Sequence, residues 1–213
     1  MIDIFSALLN ILFPDSCLVC GKSATPLCSD CLSVLPRAWD NQPDMRACFE
    51  YNDVRTRLVI HKLKYKRWRR LASIVAVPLG EMILEDLSDE ALFTDTNNTI
   101  IIPAPLSRER LRERGFNQAL LLAEVVSLIT GIPIERNAVA KIKHTATQVS
   151  LKNRNKRLAN PKGAFAITDP EKIKGMRIIL IDDVYTTGAT LNEIKRILTK
   201  TGAKEVIGFT LAH

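Results

Sequence analysis

The residues with the most chemical potential lie in one run, I-I-L-I-D-D-V-Y-T-T-G-A-T-L, from 178 to 191. Four apolar residues read as a strand buried on both faces. Asp182 and Asp183 follow at its carboxyl end, where open α/β sheets receive ligands. Thr186, Thr187, Gly188, Ala189 and Thr190 come next and lead into a helix. Successive N–H groups at a helix start form a seat for an anion, and the helix dipole adds to it. Gly188 lets the backbone approach that anion, and the threonine hydroxyls add donors. Carboxylates that accept from sugar hydroxyls, beside a loop that holds a phosphate, suit a sugar phosphate. No Lys follows the glycine as in a Walker loop, and the G-x-G-x-x-G dinucleotide fingerprint is absent. The plainer alternative is a solvated acidic turn before a Thr-capped helix. It leaves two adjacent acids at a buried strand end without a purpose.

A second constellation is Cys17, Cys20, Cys28 and Cys31, spaced C-x2-C-x7-C-x2-C. A C-x-x-C turn brings two sulfurs to ~3.5–4 Å, the edge of a tetrahedron around Zn2+, and two such turns close a four-thiolate site. Four protein ligands leave no open position, so such a zinc holds structure. It would also supply folding energy that a stretch this short cannot draw from a core. Two disulfides of a secreted protein are the alternative, and they require an export signal. Residues 1–13 are apolar but carry Asp3, no basic residue and no small-x-small cleavage site; they read instead as a short helix with Ile2, Phe5, Leu9 and Leu12 on one face. The fifth cysteine, Cys48, falls in an expected strand and reads as a buried thiol.

The elements that must position these groups alternate. Strands are expected at 45–51, 99–105, 163–167, 176–182 and 205–211, with an irregular strand region over 132–142. Helices are expected after an Asn52 or Asp53 cap, with Val54, Leu58 and Leu63 on one side, and over 71–92, 116–130 and 189–201. Pro78 should break or kink the second of these. Strands alternating with helices imply a mainly parallel sheet covered on both sides. Residues 143–161 are polar, basic and free of glycine, with little periodicity. A chain of 213 residues with 46% hydrophobic and 25% charged residues can bury a core, which argues against wholesale disorder. No apolar run reaches the ~18 residues of a membrane span.

The net charge is +7, and the 30 Lys and Arg cluster. Residues 55–70 carry eight bases and no acid; residues 107–157 carry eleven bases and four acids. Within the first cluster, Lys62, Lys64, Lys66 and Arg67 surround Trp68, with Tyr65 nearby. Cations on a backbone and rings against bases are how single-stranded nucleic acid is held. A solvated basic face with a core tryptophan is the alternative, and a basic surface would also steer a polyanionic small molecule.

The run at 178–191 resembles the phosphoribosyl pyrophosphate (PRPP) motif of type I phosphoribosyltransferases. The order of four-cysteine module, P-x-P-L, R-L-R-E-R-G-F-N-Q at 110–118, H-T-A-T-Q at 144–148, G-A-F and PRPP motif narrows this. It resembles the ComF (competence protein F) family over nearly the whole chain. The resemblance implies a type I phosphoribosyltransferase α/β fold over 44–213, preceded over 1–43 by an N-terminal helix and zinc module. It implies that Asp182 and Asp183, as catalytic residues, meet the ribose hydroxyls and that Thr186 to Thr190 hold the 5′-phosphate. A pyrophosphate loop would lie around Leu106, Ser107 and Arg108, and a hood loop would open at His144. Mg2+ would bridge pyrophosphate and ribose oxygens. The implied role is natural transformation, with single-stranded DNA and other DNA-uptake proteins as cytoplasmic partners. The alternative is an active phosphoribosyltransferase of nucleotide metabolism that transfers ribose 5-phosphate to an unidentified acceptor.

Overall fold

The computed structural model describes residues 16–39, 44–65, 68–89, 98–142 and 163–213. The helix expected over 1–13, Lys66, Arg67 and the stretch opened by His144 lie outside the described residues.

Four parallel strands form the central sheet: β1 (Met45–Phe49), β2 (Thr99–Pro103), β5 (Arg177–Val184) and β6 (Glu205–Ala212), in the order β1-β6-β5-β2. β5 and β6 are the inner strands, which is why residues 178–181 and 206–209 carry no polar side chain. Alternation splits their side chains between two cores. Ile179, Ile181, Ile207 and Phe209 face one side, and Ile178, Leu180 and Val206 face the other. The first side is covered by α2 (Val54–Lys62), α3 (Arg69–Asp89) and α5 (Gln118–Thr130). The second is covered by α6 (Ala189–Lys200) and the antiparallel pair β3 (Val139–Lys141) and β4 (Phe165–Ile167). This is the mainly parallel, doubly covered sheet that the alternation implies.

Three local outcomes differ from the expectations. Pro78 lies inside α3, which runs unbroken from Arg69 to Asp89. A proline there costs about 3 kcal/mol. Leu71, Val75, Leu79 and Ile83 of the same helix are all at most 1% exposed, and each buried side chain contributes about 1.5–3 kcal/mol. Their burial outweighs the proline. α3 also meets α5 closely: a Cβ at Gly80 would stand 2.8 Å from Ile129 Cδ1. Second, Val54 is 71% exposed, because it occupies the first turn of α2. The buried face of α2 is Thr56, Val59 and Ile60, continued by Leu63, and Asp53 caps the helix by accepting from the amides of Arg55 and Thr56. Third, the loop expected around Leu106, Ser107 and Arg108 gives way at Arg108 to a helix, α4 (Arg108–Arg114), capped by Ser107.

The four-cysteine module carries a short helix, α1 (Ser29–Ser33), and is joined to the α/β domain by both bonding and packing. The Ala38 amide donates to Cys48 O and the Glu50 amide to Pro36 O. Leu27 and Leu35 share a core with Phe49, Ile60 and Leu63. Cys48 is buried there, and burial pushes its thiol up to about 12.

Candidate functional site

The sulfurs of Cys17, Cys20, Cys28 and Cys31 all lie within 4.8 Å of one another. Cys20 Sγ and Cys28 Sγ are 3.7 Å apart, close to the tetrahedral edge of about 3.8 Å that Zn–S bonds near 2.3 Å require. The Cys17 thiol is lowered to about 6: burial acts to raise it, but amides of Cys20, Cys28 and Val19 aimed at the sulfur outweigh burial. Amide donors around a sulfur favour a thiolate, the form that binds metal. The four thiols thus form a cluster with the spacing and donor set of a structural metal site. The described cysteines are free thiols.

The second site is a cavity of about 250 Å³ at the carboxyl ends of β2 and β5. β5 ends in Asp182, Asp183 and Val184, and the chain then turns through Tyr185 and Thr186 to Gly188, the cap of α6. Gly188 has φ +70°, a left-handed conformation that glycine adopts without strain. The loop from Thr186 to Thr190 lines one side of the cavity and the two carboxylates another. Asp182 Oδ1 accepts from the Asp183 amide at 2.8 Å. Burial, and then the neighbouring Asp183 carboxylate, hold the Asp182 carboxyl well above the usual carboxylate range.

The remaining wall is cationic. Arg110 and Arg114, one turn apart on α4, line the cavity together with Lys64 and Lys141. Burial, followed by the charge of Arg110, depresses both Arg114 and Lys141. Four cations facing two carboxylates, with two of the cations partly stripped of water, make a cavity that favours a multiply charged anion. Asn117 ties the wall together: its Nδ2 donates to Ala104 O at 3.0 Å and its Oδ1 accepts from the Ala119 amide at 3.1 Å. Ala104 itself donates to Ile181 O.

The structure therefore brings Asp182, Asp183, Thr186, Thr187, Gly188, Ala189, Thr190 and Leu106 to one cavity. Ser107 is buried, with its hydroxyl accepting from the Arg110 amide, and Arg108 is exposed at the start of α4; neither lines the cavity. Of the basic cluster, Lys64 lines it, whereas the Lys62 ammonium lies 5.8 Å from the Trp68 ring centroid and Trp68 is half-buried against the core. Arg110, Arg114, Lys64, Lys141 and Gln118 are the wall residues that the PRPP motif alone does not point to. The i, i+4 spacing of Arg110 and Arg114 is the sequence feature that places both on one helix face. A larger, open groove lined by His61, Tyr65 and Arg112 adjoins the cavity and shares Lys64 and Arg114 with it.

A profile for the phosphoribosyl transferase domain matches residues 115–213, which span α5 to β6 and hold both carboxylates and the 186–190 loop. Competence protein F of Haemophilus influenzae is 42% identical over 114 residues, 53% of this chain and 49% of that protein. Competence protein ComFC of Bacillus subtilis is 31% identical over 200 residues, 92% of this chain and 76% of that protein. The chain belongs to the competence protein F family. DNA utilization protein YhgH of Escherichia coli O6:H1 is 32% identical over 205 residues, 89% of this chain and 86% of that protein. The match to the Haemophilus relative spans about half of that protein's length. Within this family the chain combines the type I phosphoribosyltransferase fold with an amino-terminal four-cysteine cluster. Among the described residues no helix is long and apolar enough to cross a membrane.

Proposed function

We propose that this competence protein F homologue binds PRPP, or a closely related sugar phosphate, and acts with it in handling incoming single-stranded DNA in the cytoplasm. One observation carries the first half. A helix-start phosphate loop, a carboxylate pair and four cations converge on one cavity at the strand ends. A pentose bearing phosphates at both ends needs all three: donors for a phosphate, acceptors for hydroxyls and cations for a diphosphate.

Mg2+ fits this arrangement, since burial and then the adjacent Asp183 carboxylate raise the proton affinity of Asp182, which favours a divalent cation nearby, and Mg2+ is commonly held by one or two carboxylates together with ligand phosphates. Asp182 and Asp183 are the residues that would face it, and it would supply charge neutralisation. The chain's own contribution is to seat the phosphate on Thr186 to Thr190, to accept the ribose hydroxyls on Asp182 and Asp183, and to hold the remaining charge against Arg110 and Arg114. The Cys17, Cys20, Cys28 and Cys31 cluster holds Zn2+ as a structural ion.

The second half is supported by the names of the relatives and by the adjoining groove. Arg112 and Lys64 offer charge for a phosphate backbone, and Tyr65, which is 51% exposed, offers a ring for a base. The test is fluorescence anisotropy of a labelled single-stranded oligonucleotide at a series of salt concentrations, with and without PRPP. Affinity should fall with salt at a log–log slope of about −0.7 per phosphate neutralised, and PRPP should change it, because Lys64 and Arg114 serve both spaces. A strand that fails to bind at low salt, or binds without salt dependence, contradicts the DNA half. Acceptor-dependent release of pyrophosphate would instead point to a transferase.

A further inference from the structure

We infer that the groove beside the cavity discriminates between bases: Glu113 selects a guanine of the single strand, stacked on Tyr65. The inference rests on reading the groove as the seat of single-stranded DNA, and it adds a base preference that this reading does not itself require.

Three kinds of side chain line the groove. Lys64, Arg112 and Arg114 bring positive charge, His61 and Tyr65 bring rings, and Glu113 is the one acid among the lining residues. The end of α2 sets the rings. His61 lies in its last turn, and Tyr65 follows four residues on. The Tyr65 amide donates to Lys62 O, and Tyr65 O accepts from the Trp68 amide. With the backbone held on both sides, the phenol oxygen stands 3.5 Å from His61 Nε2 and the ring centroids are 5.3 Å apart. Tyr65 nevertheless stays half-exposed. A ring that is fixed and still open gives up little freedom when a base stacks on it.

Glu113 is out of place in a groove built for phosphates alone, because a carboxylate repels them. It also stands in the last turn of α4, where the free carbonyls of a helix end disfavour an acid. An acid that served to offset the guanidinium groups would be bonded to one of them. Among the described residues Glu113 forms no hydrogen bond or ion pair, although its charge is felt by Arg114. Both carboxylate oxygens therefore keep their acceptor capacity.

The pairing edges of the four bases differ in what they offer those oxygens. Thymine sets a carbonyl on each side of its N–H, and both carbonyls repel a carboxylate. Cytosine and adenine each offer an amino group beside a ring nitrogen that accepts. Guanine offers two adjacent donors, N1–H and N2–H, which match two carboxylate oxygens in the way that a guanidinium fork does. Bases of a single strand leave this edge free for a protein. Phosphates against the cations, a base on Tyr65 and its donors on Glu113 use all three kinds of side chain at once.

The experiment is fluorescence anisotropy at low salt with short labelled thymine strands in which every third base is guanine, cytosine, adenine or thymine. The proteins are the full-length wild type and Glu113→Gln, with melting temperatures measured in parallel. Wild type should bind the guanine strand about fivefold or more tighter than the all-thymine strand, the low end of the discrimination that a two-bond pair gives. The cytosine and adenine strands should fall between them. Glu113→Gln should keep the wild-type melting temperature, lose the preference, and bind the all-thymine strand more tightly, because a repelling charge is gone and the amide can donate to a thymine carbonyl. Equal binding of all four strands by wild type, with affinity that falls as salt rises, would overturn the inference and leave the groove as a DNA seat. A guanine preference that survives in Glu113→Gln would overturn it too. Free dGMP binding as tightly as the guanine strand would give the seat to a free nucleotide and overturn it as stated. If no strand binds at low salt, the DNA reading falls and the inference with it.

Discussion

The Tyr185 phenol is pressed against Gly188 so closely that a Cβ at position 188 would stand 2.4 Å from the Tyr185 hydroxyl oxygen. Asn192 crowds the same point, with its Nδ2 at 2.7 Å. Tyr185 is itself held, with its amide donating to Ala212 O and its ring edge-on to His213 at 5.1 Å. The 186–190 loop thus packs at Gly188 against a side chain that is itself held in place. Gly188→Ala should cost stability by at least about 1–2 kcal/mol from the left-handed backbone alone. It should also displace the loop, so PRPP affinity should fall about tenfold or more. Thermal melting and calorimetry on the one variant check both effects; unchanged PRPP affinity would remove the loop from the site.

The raised proton affinity of Asp182 predicts a pH effect whose sign is opposite to that of most carboxylates. Burial and Asp183 hold its folded-state value above the unfolded one. The ligand-free protein therefore carries no penalty at Asp182 below the unfolded value of about 3.9. The penalty grows as pH rises toward the folded value and is constant above it. Asp182→Asn removes that penalty, so its melting temperature should exceed wild type at pH 7 and converge with it below about pH 4. Melting curves at a series of pH values read this out. A variant less stable than wild type at neutral pH would mean that the carboxylate holds the fold rather than a ligand.

At β5 the strand, the two carboxylates and the 186–190 loop are consecutive in the chain and line one cavity, which is why so much was legible there. An apolar run ending in two acids and a Thr-Gly loop reads as a buried strand delivering polar groups to the carboxyl end of the sheet. The cationic wall was harder to read. Arg110 and Arg114 alternate with Arg108 and Arg112 in a run that Glu109, Leu111 and Glu113 interrupt, and only the helical period separates the pair in the cavity from the pair outside it. Lys64 and Lys141 reach the cavity from α2's end and from β3, elements whose approach to β5 is set by tertiary packing alone. Pro78 misled for a related reason: local propensity forbids what four buried side chains of α3 enforce.

Purified protein should carry one zinc ion per chain, because four thiols within 4.8 Å saturate one tetrahedral ion. Cys28→Ser should release it and unfold residues 16–39 first. Since Leu27 and Leu35 belong to the core that holds Phe49, the loss should also lower the melting temperature of the α/β domain. Metal analysis without zinc, on protein prepared without chelator, contradicts this.

The two lysines flanking Leu63 should separate by function. Lys64→Glu should weaken PRPP by about tenfold, as a cation in the cavity wall is reversed in charge. Lys62→Glu, whose ammonium lies over Trp68, should leave PRPP binding unchanged. Trp68→Ala should destabilise the fold by about 2–3 kcal/mol and leave strand binding by the folded protein intact. Tyr65→Ala should do the reverse, weakening the strand with little change in melting temperature. If Trp68→Ala abolishes strand binding at full stability, the groove is misplaced.

The most direct measurement is calorimetric titration of PRPP, with Mg2+, into wild-type protein and into the Asp182→Asn, Asp183→Asn double variant. Wild type should bind one PRPP per chain. The double variant should bind at least about tenfold more weakly, since two charged acceptors for the ribose hydroxyls are lost, and should melt no lower than wild type. PRPP affinity unchanged in the double variant, or no PRPP binding by a zinc-loaded, folded wild type, would contradict the account.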